Sequence, residues 1–143
     1  MTQRVPVFFY GSYINGDVLR EVGLVPDRME VARLDGYDIR VAPIANLVAA
    51  EHHSVYGVLV DATHEELDRL YAHARDVLGG LYLPRAVIVA TAGERLVPAL
   101  CYIAEELADR PSDPAYLERI LAPARTYGFP AWYLERLASF RPR

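Results

Sequence analysis

The stretch from which the fold can be read is VPVFFYGSYINGD, residues 5–17. Its first six residues, Val5–Tyr10, are apolar or aromatic and favour β-structure, which predicts a buried central strand. Gly11 and Gly16 then bracket a loop, and apolar residues at helical spacing follow over 17–22. A strand, a glycine-bearing loop and a short helix point backbone N–H groups at one spot. We therefore expect this loop to form one wall of a concave pocket that suits an anion or a carboxylate.

The loop lacks the residues of the common phosphate-binding and nucleophile motifs. Gly11 and Gly16 have the glycine spacing of a Walker A loop, but Asp17 and Val18 stand where that motif needs Lys and Ser or Thr. The dinucleotide pattern G-x-G-x-x-G is absent, and Ser12 has no glycine two residues later, as a nucleophile elbow requires. Two interpretations stay open: a site for a carboxylate or small polar ligand, and a plain strand-to-helix turn without a ligand.

Composition predicts one globular domain over residues 1–143. The chain has 52% hydrophobic residues and a net charge of −4, with no basic cluster, so we expect neither nucleic acid nor an anionic membrane surface as a partner. The apolar runs are too short for a membrane span, and the N-terminal run is shorter than a signal sequence, which makes a cytoplasmic location the expectation. Cys101 is the only cysteine. Its apolar surroundings predict a buried, unreactive thiol.

Strand signals outnumber helix signals along the chain. Residues 30–34 and 37–41 alternate around the turn signal Asp35-Gly36, which predicts a hairpin. Val55–Val60 is a second strongly buried strand, and residues 82–92 and 96–104 read as the two arms of a longer hairpin. Asn46 lies within an apolar run, as either a satisfied turn residue or a ligand contact.

Residues typical of helix ends predict three helices. Thr63 and Glu66 form a capping box ahead of an amphipathic helix. A second helix begins near Pro114 and ends at Gly128, and Pro123 is expected to kink or shorten it. The last helix covers residues 130–140. Because strands neighbour one another instead of alternating strictly with helices, the pattern predicts an α+β fold with a mixed, curled sheet.

Two parts of the chain resemble the γ-glutamylcyclotransferase-like (AIG2-like) family. Phe9-Tyr10-Gly11-Ser12 after the first strand resembles its Y-G-[ST] signature, and residues 116–137, with Gly128-Phe129-Pro130 at their centre, resemble its closing helix, turn and helix. The order and spacing fit over nearly the whole chain. The resemblance implies a barrel-like mixed sheet with helices packed outside.

The resemblance also implies an intramolecular reaction. In that family the α-amine of the substrate attacks its own γ-glutamyl carbonyl, which releases an amine and leaves 5-oxoproline without a cofactor or an enzyme nucleophile. The expected substrate is a small molecule with an amino-acid-like head. The expected substrate-binding residues are Tyr10, Gly11, Ser12, Tyr13, Asn46 and Tyr82. Tyr13 departs from the family, which often has Asn directly after Y-G-S.

The larger departure concerns the proton shuttle. The family has a glutamate near the end of the capping-box helix, and the matching position here falls on Ala74 or on His73. His73 could carry a proton because imidazole titrates near neutral pH, and Asp76 could do so if burial raised its pKa. His73 and Asp76 are therefore the catalytic candidates, with Glu51 as the next carboxylate, and solvated residues at a helix end as the alternative.

Two further expectations complete the sequence-based prediction. The histidines lack metal-ligand spacing, so no metal site is expected. A homodimer remains open as the assembly. Three functions stay open at this point: a cyclotransferase with a replaced base, a binding module that holds an amino-acid-like ligand in the same pocket without turnover, and another acyl transfer at the same loop.

Overall fold

The centre of the protein is a closed five-stranded β-barrel, seen in a computed structural model that describes residues 3–142. The strands are β1 (Arg4–Phe9), β2 (Glu30–Val41), β3 (Ala45–Thr63), β4 (Tyr82–Thr91) and β5 (Leu96–Ala104). They follow one another around the barrel in the order β1-β3-β2-β4-β5. Since β1 pairs parallel with β5 while its other neighbour is antiparallel, the sheet is mixed, as predicted.

The predicted central strand is confirmed. β1 lies between β3 and β5, and the side chains of Val7, Phe8 and Phe9 are buried. Gly57 on β3 lies directly behind this strand, where a Cβ would sit 2.1 Å from the Phe9 carbonyl oxygen. The close approach fixes β1 in the barrel wall, and with it the direction in which the loop after Phe9 leaves.

The hairpin predicted at Asp35-Gly36 is wrong. The two arms belong to one strand, β2, and both pair with β3: Asp35 lies opposite Ser54, and Tyr37 lies opposite Ala49. The register shifts between them because Gly36 takes a left-handed φ of +89° and forms a bulge. A glycine in this conformation has the same local signature as a turn residue, so the sequence alone does not separate the two.

Four α-helices pack outside the barrel: α1 (Gly16–Glu21), α2 (His64–His73), α3 (Pro114–Tyr127) and α4 (Ala131–Ala138). The capping box at Thr63 is confirmed: the Glu66 N–H donates to its Oγ1 at 3.1 Å, and the Glu66 carboxylate accepts from the Thr63 N–H at 2.8 Å. Gly128 ends α3 with φ +75°, also as predicted. None of the helices within residues 3–142 combines the length and apolarity needed to cross a lipid bilayer.

Pro123 does not shorten α3, which continues past it to Tyr127. A proline leaves the carbonyl four residues earlier without its helical donor. Here that carbonyl belongs to Arg119, and the Asn15 side-chain amide donates to it at 3.0 Å. The Tyr127 hydroxyl donates to the Ile14 carbonyl at 3.0 Å. The freed acceptor in α3 therefore becomes a point at which the loop after β1 is held.

Candidate functional site

A pocket opens where the chain leaves β1. It contains about 350 Å³ of empty space including its mouth. The walls come from the β1 loop, the start of β3, α2 with the turn after it, β4, β5 and α3. The lining residues are Phe9, Tyr10, Gly11, Ser12, Tyr13, Ala45, Tyr71, Ala74, Leu78, Tyr82, Tyr102 and Tyr116.

The β1 loop forms one wall, as the sequence predicted. It contains a 3₁₀ turn, Ser12–Ile14, in which the Ile14 N–H donates to the Gly11 carbonyl at 3.1 Å. Within residues 3–142, no backbone carbonyl accepts from the amides of Gly11 or Tyr13. Both residues line the pocket, so its wall contains two backbone amides that no backbone carbonyl of the described residues engages.

The opposite walls consist of tyrosines that are tied to the backbone. The Tyr10 hydroxyl donates to the Tyr102 carbonyl at 2.7 Å, and the Tyr82 hydroxyl donates to the Ala45 carbonyl. The Tyr116 hydroxyl accepts from the Ala45 N–H at 2.9 Å. The rings of Tyr71 and Tyr102 stack with centroids 3.7 Å apart. Because several rings are anchored, the pocket has a preformed shape.

These phenols are neutral at physiological pH. Burial raises the pKa of Tyr10, Tyr71 and Tyr82, and it raises the pKa of Tyr13 as well. The lining contains no carboxylate and no imidazole. The pocket therefore offers hydroxyl and amide hydrogen bonds on an aromatic surface without a formal charge.

His73 does not line the pocket but is joined to it. It is the last residue of α2, and its Nδ1 lies 3.1 Å from the Tyr13 hydroxyl oxygen. Tyr13 does line the pocket, and its ring packs edge-on against those of Phe9 and Tyr71. The two residues thus form a polar contact that leads from the pocket to the end of the helix.

Asp76 is placed differently. It lies in a π-helical turn, Ala74–Leu78, with its side chain exposed and its carboxylate paired with the Arg75 guanidinium at 2.9 Å. That hydrogen bond holds the pKa of Asp76 below its ordinary value. The condition attached to this candidate, a pKa raised by burial, is not met.

Ala74 occupies the pocket wall that the resemblance assigned to the proton shuttle. Its side chain is buried and lines the cavity together with Leu78, one π-helical turn later. A π-turn accommodates one more residue than an α-helical turn. Of the two positions that the sequence match left open, the structure therefore places Ala74 in the pocket wall and His73 beside it.

Asn46 lies outside this pocket. Its side-chain amide donates to the Ala104 carbonyl at 2.9 Å, and its side-chain oxygen accepts from the Ala104 N–H at 3.0 Å. Both polar atoms thus join the start of β3 to the end of β5. Glu51 is exposed on β3 and is not among the lining residues. Of the other predicted substrate contacts, all line the pocket: Tyr10, Gly11, Ser12, Tyr13 and Tyr82.

Three lining tyrosines, Tyr71, Tyr102 and Tyr116, were not predicted from the sequence. They lie on α2, β5 and α3, far apart in the chain, and an aromatic residue in a regular element usually indicates core packing. Cys101 is buried beside them, and burial raises the pKa of its thiol to about 12. Among the described residues, no three His, Cys, Asp or Glu side chains are grouped so that they could hold a metal ion.

Solved structures of similar fold cover nearly the whole chain. An uncharacterized protein from Homo sapiens matches with a TM-score of 0.85 and 22% identity, over 99% of this chain and 90% of that one. A γ-glutamyl cyclotransferase gives the same four values. A yeast γ-glutamyl cyclotransferase specific to glutathione matches with a TM-score of 0.67 and 15% identity, over 96% of this chain and 95% of that one. At these identities the likeness shows the cyclotransferase-type fold.

The sequence comparison identifies the family. No curated protein sequence matches the chain. The AIG2-like family, however, is matched over residues 54–137, more than half of the chain, from the middle of β3 to the end of α4. The resemblance read from the Y-G-S loop and the C-terminal helices is thereby confirmed, and this chain belongs to the AIG2-like family.

Proposed function

We propose that this chain is a γ-glutamylcyclotransferase-like protein that binds a γ-glutamyl amide, or a related amide with an amino-acid-like head, in the tyrosine-lined pocket. The ligand's carboxylate or γ-carbonyl oxygen would accept hydrogen bonds from the free amides of the β1 loop. Intramolecular attack by the α-amine would then give 5-oxoproline and a free amine. Holding the ligand in a folded conformation is the main contribution that the preformed pocket can make.

We expect this turnover to be weak. The reaction must move a proton from the attacking α-amine to the departing nitrogen, and a positioned acid–base group typically contributes about 10²–10⁴-fold in rate. Ala74 cannot carry a proton, and no carboxylate or imidazole lines the pocket. The single observation that carries this expectation of weak turnover is the buried methyl group of Ala74 in the pocket wall.

The second candidate function is binding without turnover, and the same observation favours it. The two functions differ only in whether a bound γ-glutamyl amide is cleaved. A ligand that binds the folded chain raises its thermal stability by mass action whether or not it reacts. Binding and turnover can therefore be measured separately on one preparation.

The experiment compares the wild type with Ala74→Glu, using γ-L-glutamyl-L-alanine as the probe. Melting temperature with and without the probe reports binding, and the release of 5-oxoproline and alanine reports turnover. We expect the wild type to bind the probe and to release 5-oxoproline slowly or not at all. Ala74→Glu places a carboxylate in the pocket wall and should raise the rate about 10²-fold or more.

Ala72→Glu is the matched control. Ala72 lies on α2 two residues earlier, is only partly buried and does not line the pocket, so the variant adds the same charge outside the site. Equal rates for folded Ala74→Glu and Ala72→Glu would contradict the missing-carboxylate explanation. Fast turnover by the wild type would contradict the expectation of a weak enzyme. A probe that shifts no melting temperature and yields no 5-oxoproline would overturn the proposed ligand class.

A further inference from the structure

The contact between Tyr13 and His73 is the polar connection that links the pocket to an imidazole. The Tyr13 hydroxyl belongs to the pocket wall, and it lies 2.6 Å from the Leu70 carbonyl oxygen and 3.1 Å from His73 Nδ1. A phenol has one proton and can donate it to only one of these partners at a time. Two arrangements of the same heavy atoms are therefore available.

In the first arrangement, Tyr13 donates to Leu70 and accepts a hydrogen bond from a protonated Nδ1. In the second, its O–H bond has turned toward an unprotonated Nδ1. When the O–H bond rotates, the Leu70 carbonyl loses the Tyr13 hydrogen bond. It keeps a donor, because it also accepts from the Ala74 N–H at the end of α2. The two arrangements differ only in the direction of the phenol O–H bond and in the proton on Nδ1, so the packed rings of Phe9, Tyr13 and Tyr71 need not move.

We propose that Tyr13 is the residue that exchanges a proton with the bound ligand, and that His73 acts through Tyr13 by accepting and returning that proton at Nδ1. This inference rests on the proposed function, because it assigns the proton transfer of the same pocket. It makes Tyr13 the catalytic residue and His73 a positioning residue that stores the charge. Asp76 has no part in this exchange, because its exposed carboxylate is paired with Arg75.

The proton balance of the exchange is complete. The ligand's α-ammonium gives a proton to the Tyr13 oxygen while the original phenol proton passes to Nδ1, which leaves a free α-amine and an imidazolium. The α-amine nitrogen then bonds to the γ-carbonyl carbon. Return of the stored proton by the same route to the departing nitrogen accompanies cleavage of its bond to that carbon. The remaining extra proton on the new lactam nitrogen goes to the released amine.

The surroundings of the pair suit this exchange. Burial raises the pKa of Tyr13, so the phenol passes a proton on and does not remain a phenolate. Within the described residues, the Tyr13 hydroxyl is the hydrogen-bond partner that another element offers to the His73 ring. On the same helix, Arg69 donates to the Gly23 carbonyl, and in the turn that follows, Arg75 and Asp76 are paired with each other. The charged side chains nearest in sequence to His73 therefore have other partners.

Two variants test the pair, and both keep its shape. Tyr13→Phe retains the ring packing and removes the hydroxyl. His73→Asn places a side-chain oxygen near the position of Nδ1, so it can accept the hydrogen bond but cannot take the proton. His64→Asn is the matched control, because His64 is exposed at the first position of α2. Circular dichroism and urea unfolding establish that each variant is folded.

The first measurement is 5-oxoproline formation from γ-L-glutamyl-L-alanine as a function of pH. We expect Tyr13→Phe and His73→Asn each to lower the rate about 10²-fold, and the double variant to lose no more than either single variant. The rise of the rate with pH that imidazole titration produces should vanish in both, while His64→Asn matches the wild type. Tyr13→Phe with the wild-type rate would overturn the proposal.

The second measurement does not depend on turnover. Nuclear magnetic resonance of the imidazole C–H groups follows the titration of His73 with and without the probe. By linkage, the probe should change the proton affinity of His73 by about fivefold or more in the wild type, and not in Tyr13→Phe. A bound probe, detected by its melting-temperature shift, that leaves the His73 titration unmoved would overturn the proposal. A probe that does not bind would instead overturn the proposed ligand class on which this inference rests, and binding with a shifted His73 titration but without 5-oxoproline would refute the catalytic role of Tyr13 while leaving the proton coupling.

Discussion

At Gly11 the β1 loop lies close against the barrel. A Cβ built on it would lie 2.7 Å from the Ala45 Cβ, a distance that forces either the loop or the start of β3 to move. Ala45 is also the residue whose backbone anchors Tyr82 and Tyr116. Because Gly11 has no side chain, the β1 loop can pack directly against Ala45, the residue to which two pocket tyrosines are also bonded.

We predict that Gly11→Ala weakens both stability and binding. Overpacking at a close contact typically costs about 1–3 kcal/mol of unfolding free energy, and the displaced loop amides should bind a γ-glutamyl probe less tightly. Urea unfolding and the probe-induced shift in melting temperature measure the two effects. Gly16→Ala is the control, since the nearest atom to its Cβ is the Arg20 side chain at 4.0 Å. An equal effect of the two substitutions would contradict the argument.

Helix α2 contributes to the pocket at its C-terminal end, and its main capping interaction lies at its N-terminal end. The box formed by Thr63 and Glu66 satisfies two backbone donors at the first turn. Ala74, His73 and the Tyr13 contact lie at the far end. Stability and ligand binding should therefore respond separately to changes at the two ends.

Thr63→Ala is predicted to lower the unfolding free energy by about 0.5–2 kcal/mol, as the loss of an N-cap typically does. The affinity for the γ-glutamyl probe should not change. Urea unfolding measures the first quantity and probe titration the second. The control is Thr126→Ala, whose exposed hydroxyl donates to the Ala122 carbonyl within α3 and should shift stability by no more than about 0.5 kcal/mol. Loss of binding in Thr63→Ala would show that the two ends are coupled.

The elements also show which features a sequence can predict. β1, the capping box and the β4–β5 hairpin follow from local patterns, because alternation and caps act within a few residues. The continuation of α3 past Pro123 does not, since it depends on the Asn15 amide reaching the Arg119 carbonyl from a distant loop. The tyrosines of α2, β5 and α3 likewise meet only in the folded barrel. The local sequence pattern therefore predicts the pocket wall formed by the β1 loop. The other walls depend on tertiary contacts between distant elements.

This small domain contains a large number of buried phenols, most of them at the pocket. Within the described residues, burial raises the pKa values of eight tyrosines: Tyr10, Tyr13, Tyr71, Tyr82, Tyr102, Tyr116, Tyr127 and Tyr133. In the unfolded chain a tyrosine loses its proton near pH 10. Below that pH both states keep these protons, so the phenols have no effect on how stability changes with pH. Above it, the unfolded chain gives up protons that the folded chain retains.

We therefore predict a steep alkaline unfolding transition. Each raised phenol lowers the unfolding free energy by about 1.4 kcal/mol per pH unit above pH 10. The eight together reach a slope of up to roughly 11 kcal/mol per unit, against a total stability of about 5–15 kcal/mol for an ordinary domain. The fold should be lost within one to two pH units, and phenolate absorbance from these residues should appear together with the loss of circular dichroism.

Tyr133→Phe tests the cause of this transition. Tyr133 is buried on α4 away from the pocket, so the substitution removes one raised phenol without touching the ligand site. The midpoint should move to higher pH and the slope should fall, while ligand binding at neutral pH is unchanged. Phenolate absorbance that rises gradually from pH 10 with unaltered circular dichroism would mean that the tyrosines ionise inside the folded barrel. That result would contradict the conclusion that the pocket tyrosines stay protonated and fixed in place in the folded protein.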